Sequence, residues 1–158
     1  VTSVEGGYQR TGARSPMQWD ASEKNFGFSD APTERLYIPQ DSGDDVPTAA
    51  AEMSDEASLW REVQRLIALR RATPALSVNA AVEFVHCEKN AYPLVYLRAE
   101  RGEGGQRVLV ALNPAQRPAE VACDGRAART LYALGDAAKL ADGTLRVPAC
   151  SATFIELA

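Results

Sequence analysis

The chain is 158 residues long, with 46% hydrophobic and 24% charged residues and a formal net charge of -4. That hydrophobic share excludes a wholly disordered chain, and the length allows one domain or little more. The negative balance argues against a nucleic-acid or anionic-membrane partner, and no apolar run approaches the ~20 residues that cross a bilayer.

The first residues do not read as a basic-then-apolar leader. Residues 1 to about 53 carry little periodic pattern, with Gly6-Gly7 and Gly12 punctuating the start. The run Arg10 to Asp20 sets Met17 and Trp19 among Arg14, Ser15, Gln18 and Asp20. Pro16 lacks an amide donor and biases Ser15 away from helix, so an ordered loop is expected. Guanidinium forks, an amide and an indole suit a sugar-facing surface, because rings stack on pyranose faces while planar forks bond hydroxyls. The same composition fits a loop whose Trp19 plugs a core, and composition alone leaves both open. Leu36-Tyr37-Ile38 reads as a short extended piece stopped by Pro39. Fifty irregular residues are unusual in a compact domain, which suggests a long functional loop needing a scaffold from elsewhere.

A helix is predicted over 55–72. Ser54 is the expected cap, Asp55 and Glu56 favour the first turn, and Pro74 follows the end. Leu59, Val63, Leu66 and Ile67 recur at helical spacing beside Trp60 and Leu69. At ~1.5–3 kcal/mol each, such side chains call for a partner surface that the irregular opening is poorly suited to supply.

Beyond residue 78 the period becomes two. Strands are predicted over 81–87, 94–98, 108–112, 119–123, 130–134, 144–147 and 153–157, separated by turn signals such as Gly102-Glu103-Gly104-Gly105, Asn113-Pro114 and Asp142-Gly143. Short strands without intervening helices imply an antiparallel sandwich, with 108–112 central because it is apolar on both faces. Three cysteines, Cys87, Cys123 and Cys150, stand far apart, with one histidine, His86, on a strand. This is not metal-ligand spacing, so no metal or cofactor is expected. Buried free thiols in a reducing cytoplasm are the expected state, with a disulfide open but not required.

Arg14-Ser15-Pro16-Met17-Gln18-Trp19-Asp20, followed by Gly27-Phe28-Ser29, resembles the Arg-Thr-Pro-Met-Gln-Trp-Asp…Gly-Phe-Ser signature of glycoside hydrolase family 13, in its α-glucosidase, oligo-1,6-glucosidase and trehalose synthase branch. Ser15 replaces Thr and keeps the hydroxyl. The resemblance continues through Arg65 to Leu76, which is similar to the family's last barrel helix. It extends to the apolar strand ending at Asn113, which is similar to its carboxy-terminal β-domain. It implies an α+β chain: residues 1–76 as the end of a (β/α)8 barrel, holding the loop after the last strand and the last helix, then 77–158 as an antiparallel all-β sandwich.

The activity so implied is retaining cleavage or transfer of α-glucosides such as maltose, sucrose, trehalose or isomaltooligosaccharides. In the family the three catalytic carboxylates lie upstream of the matching region, so none is assigned here. Arg14, Gln18, Trp19 and Asp20 are implied to be substrate-proximal, on the leaving-group side, with Trp19 expected to be buried under the loop. Asp20, Glu23 and the cluster Asp41, Asp44 and Asp45 sit in polar chain, where a raised acid pKa is not expected. His86, without a neighbouring Ser or Cys, is expected to be structural.

The implied partners are an α-glucoside, through the parent enzyme, and the barrel, in cis or as a separate chain. Two alternatives stand beside this reading. One is an accessory carbohydrate-binding β-domain, which would need a row of exposed aromatics, whereas Phe84, Tyr92, Tyr96, Tyr132 and Phe154 are expected mostly to alternate inward. The other is the small chain of a split or nicked enzyme.

Overall fold

The computed structural model describes residues 4–5, 8–9, 14–41, 43 and 45–158. The glycines at 6, 7 and 12, Arg10 and Asp44 lie outside the described residues. Contacts divide the chain into two units, Val1–Arg65 and Leu66–Ala158.

The first unit opens with a two-stranded antiparallel ribbon, β1 (Val4–Glu5) and β2 (Tyr8–Gln9). Irregular chain follows, with 3-10 turns at Lys24–Gly27 and Thr33–Arg35, and then a helix that the sequence did not suggest, α1 (Ala49–Ser54). Thr48 is its cap: Thr48 Oγ1 accepts from the Ala51 amide at 3.2 Å, and the residue is 3% exposed. Leu36-Tyr37-Ile38 forms bends and no strand, since Leu36 closes a 3-10 turn over Thr33–Arg35.

The long helix, α2, spans Leu59–Ala72 and begins four residues later than the capping pattern suggested. Ser54 ends α1 and bonds back to the Ala51 carbonyl. The cap is instead Ser58, whose Oγ accepts from the Arg61 amide at 3.2 Å and donates to the Glu52 carbonyl at 2.6 Å. The reason is local: Asp55 turns the chain in an extended conformation at the end of α1, so 55–58 is a connection between two helices. No residue of α2 is buried, and Leu59, Val63 and Ile67 on its apolar stripe are 74%, 46% and 48% exposed.

The second unit is two antiparallel sheets. One holds five strands in the order β3 (Ala81–His86), β4 (Leu94–Ala99), β5 (Arg107–Asn113), β10 (Ser151–Leu157) and β7 (Ala127–Leu134). The other holds β6 (Ala119–Ala122), β9 (Thr144–Val147) and β8 (Lys139–Ala141). The chain switches sheets after β5 and returns twice, so β10 pairs with β5 and β7, both distant in sequence. β5 is the central strand, as its two-sided apolar run implies, with Val108, Leu109, Val110 and Ala111 all at 0–1% exposure.

Alternation then sorts the faces. Val95, Leu109, Ala111 and Ile155 meet Val121, Leu145 and Val147 of the smaller sheet to form the sandwich core. β8, too short to show a period, is a strand of this unit that the sequence does not announce, as the two-residue β1 and β2 are in the first. It is joined to β9 by Asp142-Gly143, both at positive φ (51° and 72°), the tight hairpin turn for which those residues are suited.

The opposite face of the five-stranded sheet carries a second cluster around Val108, Val110 and Ala75. Within this unit, the turn Pro74–Leu76 is tied to the five-stranded sheet by side chains. Gln106 Oε1 accepts from the Ala75 amide at 3.2 Å, Arg98 Nε donates to the Ala75 carbonyl at 3.2 Å, and a second Arg98 nitrogen donates to the Ser77 carbonyl. Gln106 also donates to Glu156, which accepts from Arg129, so the bonding runs across three strands.

Among the described residues, no helix is long and apolar enough to cross a membrane.

Candidate functional site

The stretch 14–20 is chain without regular secondary structure after Arg14, with Pro16 buried and Met17 and Trp19 at 48% and 52% exposure. Trp19 is therefore not covered by its own loop. The backbone explains why. The Trp19 and Asp20 amides both donate to the Phe26 carbonyl, at 2.9 and 3.2 Å, while the Gln18 and Trp19 carbonyls accept from the Ala49 and Ala50 amides, at 2.9 Å each. Those are the first amides of α1, which have no partner within their own helix. Segment 18–20 is thus held by its main chain on both sides, and Gln18, Trp19 and Asp20 need not bury their side chains to stay in place. Arg14 is exposed at the start of the stretch.

Asp20 closes a small turn: Oδ1 accepts from the Ser22 amide at 2.9 Å and the Ser22 hydroxyl at 2.8 Å. The amide first, then the hydroxyl, holds its carboxyl below the usual range. A general acid needs the opposite shift, so Asp20 is suited to accept hydrogen bonds from hydroxyls and not to give up a proton. Asp41 accepts from the Gly43 amide at 3.0 Å, which is turn chemistry.

Beneath 18–20 lies a residue that motif reading passed over. Asn25 is 8% exposed and at positive φ (48°), followed by Phe26 (52°) and Gly27 (73°). Its Nδ2 donates to the Ser29 and Ala31 carbonyls at 2.7 and 2.8 Å, its Oδ1 accepts from Thr33 Oγ1 at 2.7 Å, and its carbonyl accepts from Gln40 Nε2 at 2.6 Å. An Asn two residues before Gly-Phe-Ser, in an otherwise irregular run, was the available signal, since Asn tolerates left-handed backbone.

The other sequence candidates are structural or surface groups. His86 Nδ1 lies 2.7 Å from the Pro93 carbonyl across the β3–β4 hairpin, and Nε2 lies 3.7 Å from Glu88. All three cysteines are free, but only Cys123 is buried; Cys87 and Cys150 are exposed. Burial and the Asp124 charge push the Cys123 thiol up. Among the described residues, no group of three or more His, Cys, Asp and Glu could hold a metal.

The strand aromatics do not alternate inward. Phe84, Tyr96, Phe154 and Tyr132 share a cross-strand row, through Val110, on the face of the five-stranded sheet away from the sandwich core. Phe84 is 64% exposed. Phe84 and Tyr96 meet at 61°, and Tyr132 and Phe154 at 56°, so the rings form tilted pairs and not the coplanar row on which sugar rings would stack.

Comparison with known proteins adds the wider setting. The family model described as alpha amylase, catalytic domain, matches residues 1–79. The trehalose synthase/amylase TreS of Mycobacterium tuberculosis is 34% identical over 119 residues, covering 73% of this chain and 19% of that protein. A probable alpha-glucosidase of Rhizobium meliloti is 29% identical over 153 residues, covering 94% of this chain and 25% of that protein. The trehalulose synthase MutB of Pseudomonas mesoacidophila superposes with a TM-score of 0.75 at 25% identity, over 95% of this chain and 26% of its own. The chain thus spans about a fifth to a quarter of these relatives' length. With a signature loop of the expected composition held on main-chain bonds, a catalytic-domain match over its first half and an antiparallel β unit behind it, the chain belongs to the α-amylase family, glycoside hydrolase family 13.

Proposed function

We propose that this chain is the carboxy-terminal part of an α-glucosidase-like cytoplasmic enzyme that cleaves or transfers α-glucosides by a retaining mechanism. Residues 1–76 complete its (β/α)8 barrel, and 77–158 form its β-domain. The two carboxyl groups that such a mechanism places about 5–5.5 Å apart belong to the rest of the barrel, in cis or on a separate chain. Arg14, Gln18, Trp19 and Asp20 stand on the rim of the active-site funnel. There an ionised Asp20 and the Gln18 amide accept and donate hydrogen bonds to leaving-group hydroxyls, and Trp19 offers an apolar face.

The observation that carries this reading is the uncovered apolar stripe of α2, a helix that begins later in the same unit of chain that carries the signature loop. A helix with Leu59 at 74% and Val63 at 46% exposure is shaped to pack against a scaffold that the described residues do not supply. The relatives' printed names, trehalose synthase/amylase and alpha-glucosidase, support the substrate class.

Assay of the purified 158-residue chain on maltose, sucrose and p-nitrophenyl α-glucoside tests it. No turnover is expected from the chain alone, and turnover is expected from the longer natural protein that carries it. Hydrolysis by the short chain above background would refute the placement of the catalytic carboxyls elsewhere.

A further inference from the structure

Three consecutive residues, Asn25, Phe26 and Gly27, take left-handed backbone angles, and Phe26 is a bulky residue that rarely does so. Such strain persists only where the surroundings over-determine it, and it concentrates where geometry matters to function. Here the surroundings are the Asn25 bonds already described. Its side chain takes up the carbonyls of Ser29 and Ala31 and the Thr33 hydroxyl, while Gln40 reaches back to its main chain. The product of this turn is one oxygen in one place: the Phe26 carbonyl, which accepts from both the Trp19 and Asp20 amides.

We infer that Asn25 is a positioning residue, which sets the direction of Trp19 and Asp20, and of Gln18 through the Gln18–Trp19 peptide unit, by holding the left-handed turn whose Phe26 carbonyl accepts from the Trp19 and Asp20 amides. The inference rests on the proposed reading that these three side chains face the leaving group of an α-glucoside. The amide group is required as a whole. Aspartate in its place would lose both Nδ2 donors, and glycine would keep the backbone angle while losing every side-chain bond. Because the Asn25 partners all lie within 29–40, the device acts on the loop and not on a barrel core.

The test uses the longer natural protein with Asn25→Gly and Asn25→Ala, each assayed on maltose and on α-glucosyl fluoride. The two substrates deliver the same glucosyl group, but fluoride is too small to touch the loop. The expected result is a fall in kcat/KM on maltose of about 10-fold or more, of the kind small misplacements of positioning groups produce. On α-glucosyl fluoride the change should stay within about 2-fold. Asn25→Gly guards against loss of folding, because it keeps the left-handed angle. Equal losses on both substrates would mean a general structural role, and unchanged kinetics would mean no role; either overturns the inference while leaving the proposed function standing. A wild-type protein inactive on both substrates would instead overturn the proposed function, and this inference with it.

Discussion

Asn113 ends the central strand β5, is 1% exposed, and joins three pieces of backbone. Its Nδ2 donates to the Arg117 carbonyl at 2.9 Å and the Pro148 carbonyl at 2.8 Å, and its Oδ1 accepts from the Ala115 amide at 3.2 Å. Asn113→Ala removes all three bonds. The Pro148 carbonyl keeps the Ser151 hydroxyl at 2.8 Å, so it loses about 1 kcal/mol, the usual net value of one bond. The other two groups lose the partner they have here, at about 1–2 kcal/mol each. The total is about 3–5 kcal/mol, a large part of the stability of a domain this size. Asn113→Asp is the sharper probe. It keeps the acceptor for Ala115 but sets a carboxylate oxygen against two carbonyls, so the folded state favours the protonated acid and raises its pKa above the unfolded value. Its penalty should therefore be full at pH 7 and shrink as pH falls through the raised folded pKa. Urea unfolding followed by circular dichroism at pH 7 and pH 4 measures both. An alanine cost below about 1 kcal/mol, or an aspartate penalty independent of pH, would refute the claim that these bonds hold the corner.

Two further outcomes follow from the titrating groups. Burial and Asp124 raise the Cys123 thiol, so in the native chain Cys87 and Cys150 should alkylate quickly with iodoacetamide while Cys123 reacts only after unfolding, a difference that mass spectrometry of the digest reads directly. The Gln106 hydrogen bond first, and the Arg129 bond next, hold Glu156 below the usual carboxylate range. A depressed folded pKa stabilises above the unfolded value and is lost as pH falls through the folded one. The stability gap between wild type and Glu156→Gln should thus be widest near neutral pH and close on acidification. A gap that widens in acid would contradict this sign. Because Arg129 is 67% exposed, added salt should narrow it as well.

Much of the β unit is legible in the sequence, because alternation and turn residues are local properties of the chain. The predicted strands lie within a few residues of those observed, and β5 is central because a run apolar on both faces has only one kind of place in a sheet. Local signals misled where two of them competed. Ser54 and Ser58 are both caps by type, and only the extended turn at Asp55 decides that α1 ends at the first and α2 starts at the second. The strand aromatics are expected to alternate inward, and they do not. Alternation says only that they share a face, and the packing of the second sheet decides which face is the core.

The signature loop divides in the same way. Its residue types point to sugar chemistry and its motif to a family, and both are properties of covalent sequence. Asp20 is held ionised by Ser22 two residues on, a local bond. That Trp19 stands half exposed and that Asn25 anchors the turn beneath it follow from the hydrogen bonds of Trp19 with Phe26, Gln18 with Ala49 and Asn25 with Gln40. These residues are separated along the chain, and their meeting is set by loop closure. The sequence by itself determined periods, caps by type and kinship. Only the tertiary structure decided which of the equivalent donors and faces were used, because that choice depends on which distant partners the folded chain holds within hydrogen-bond distance.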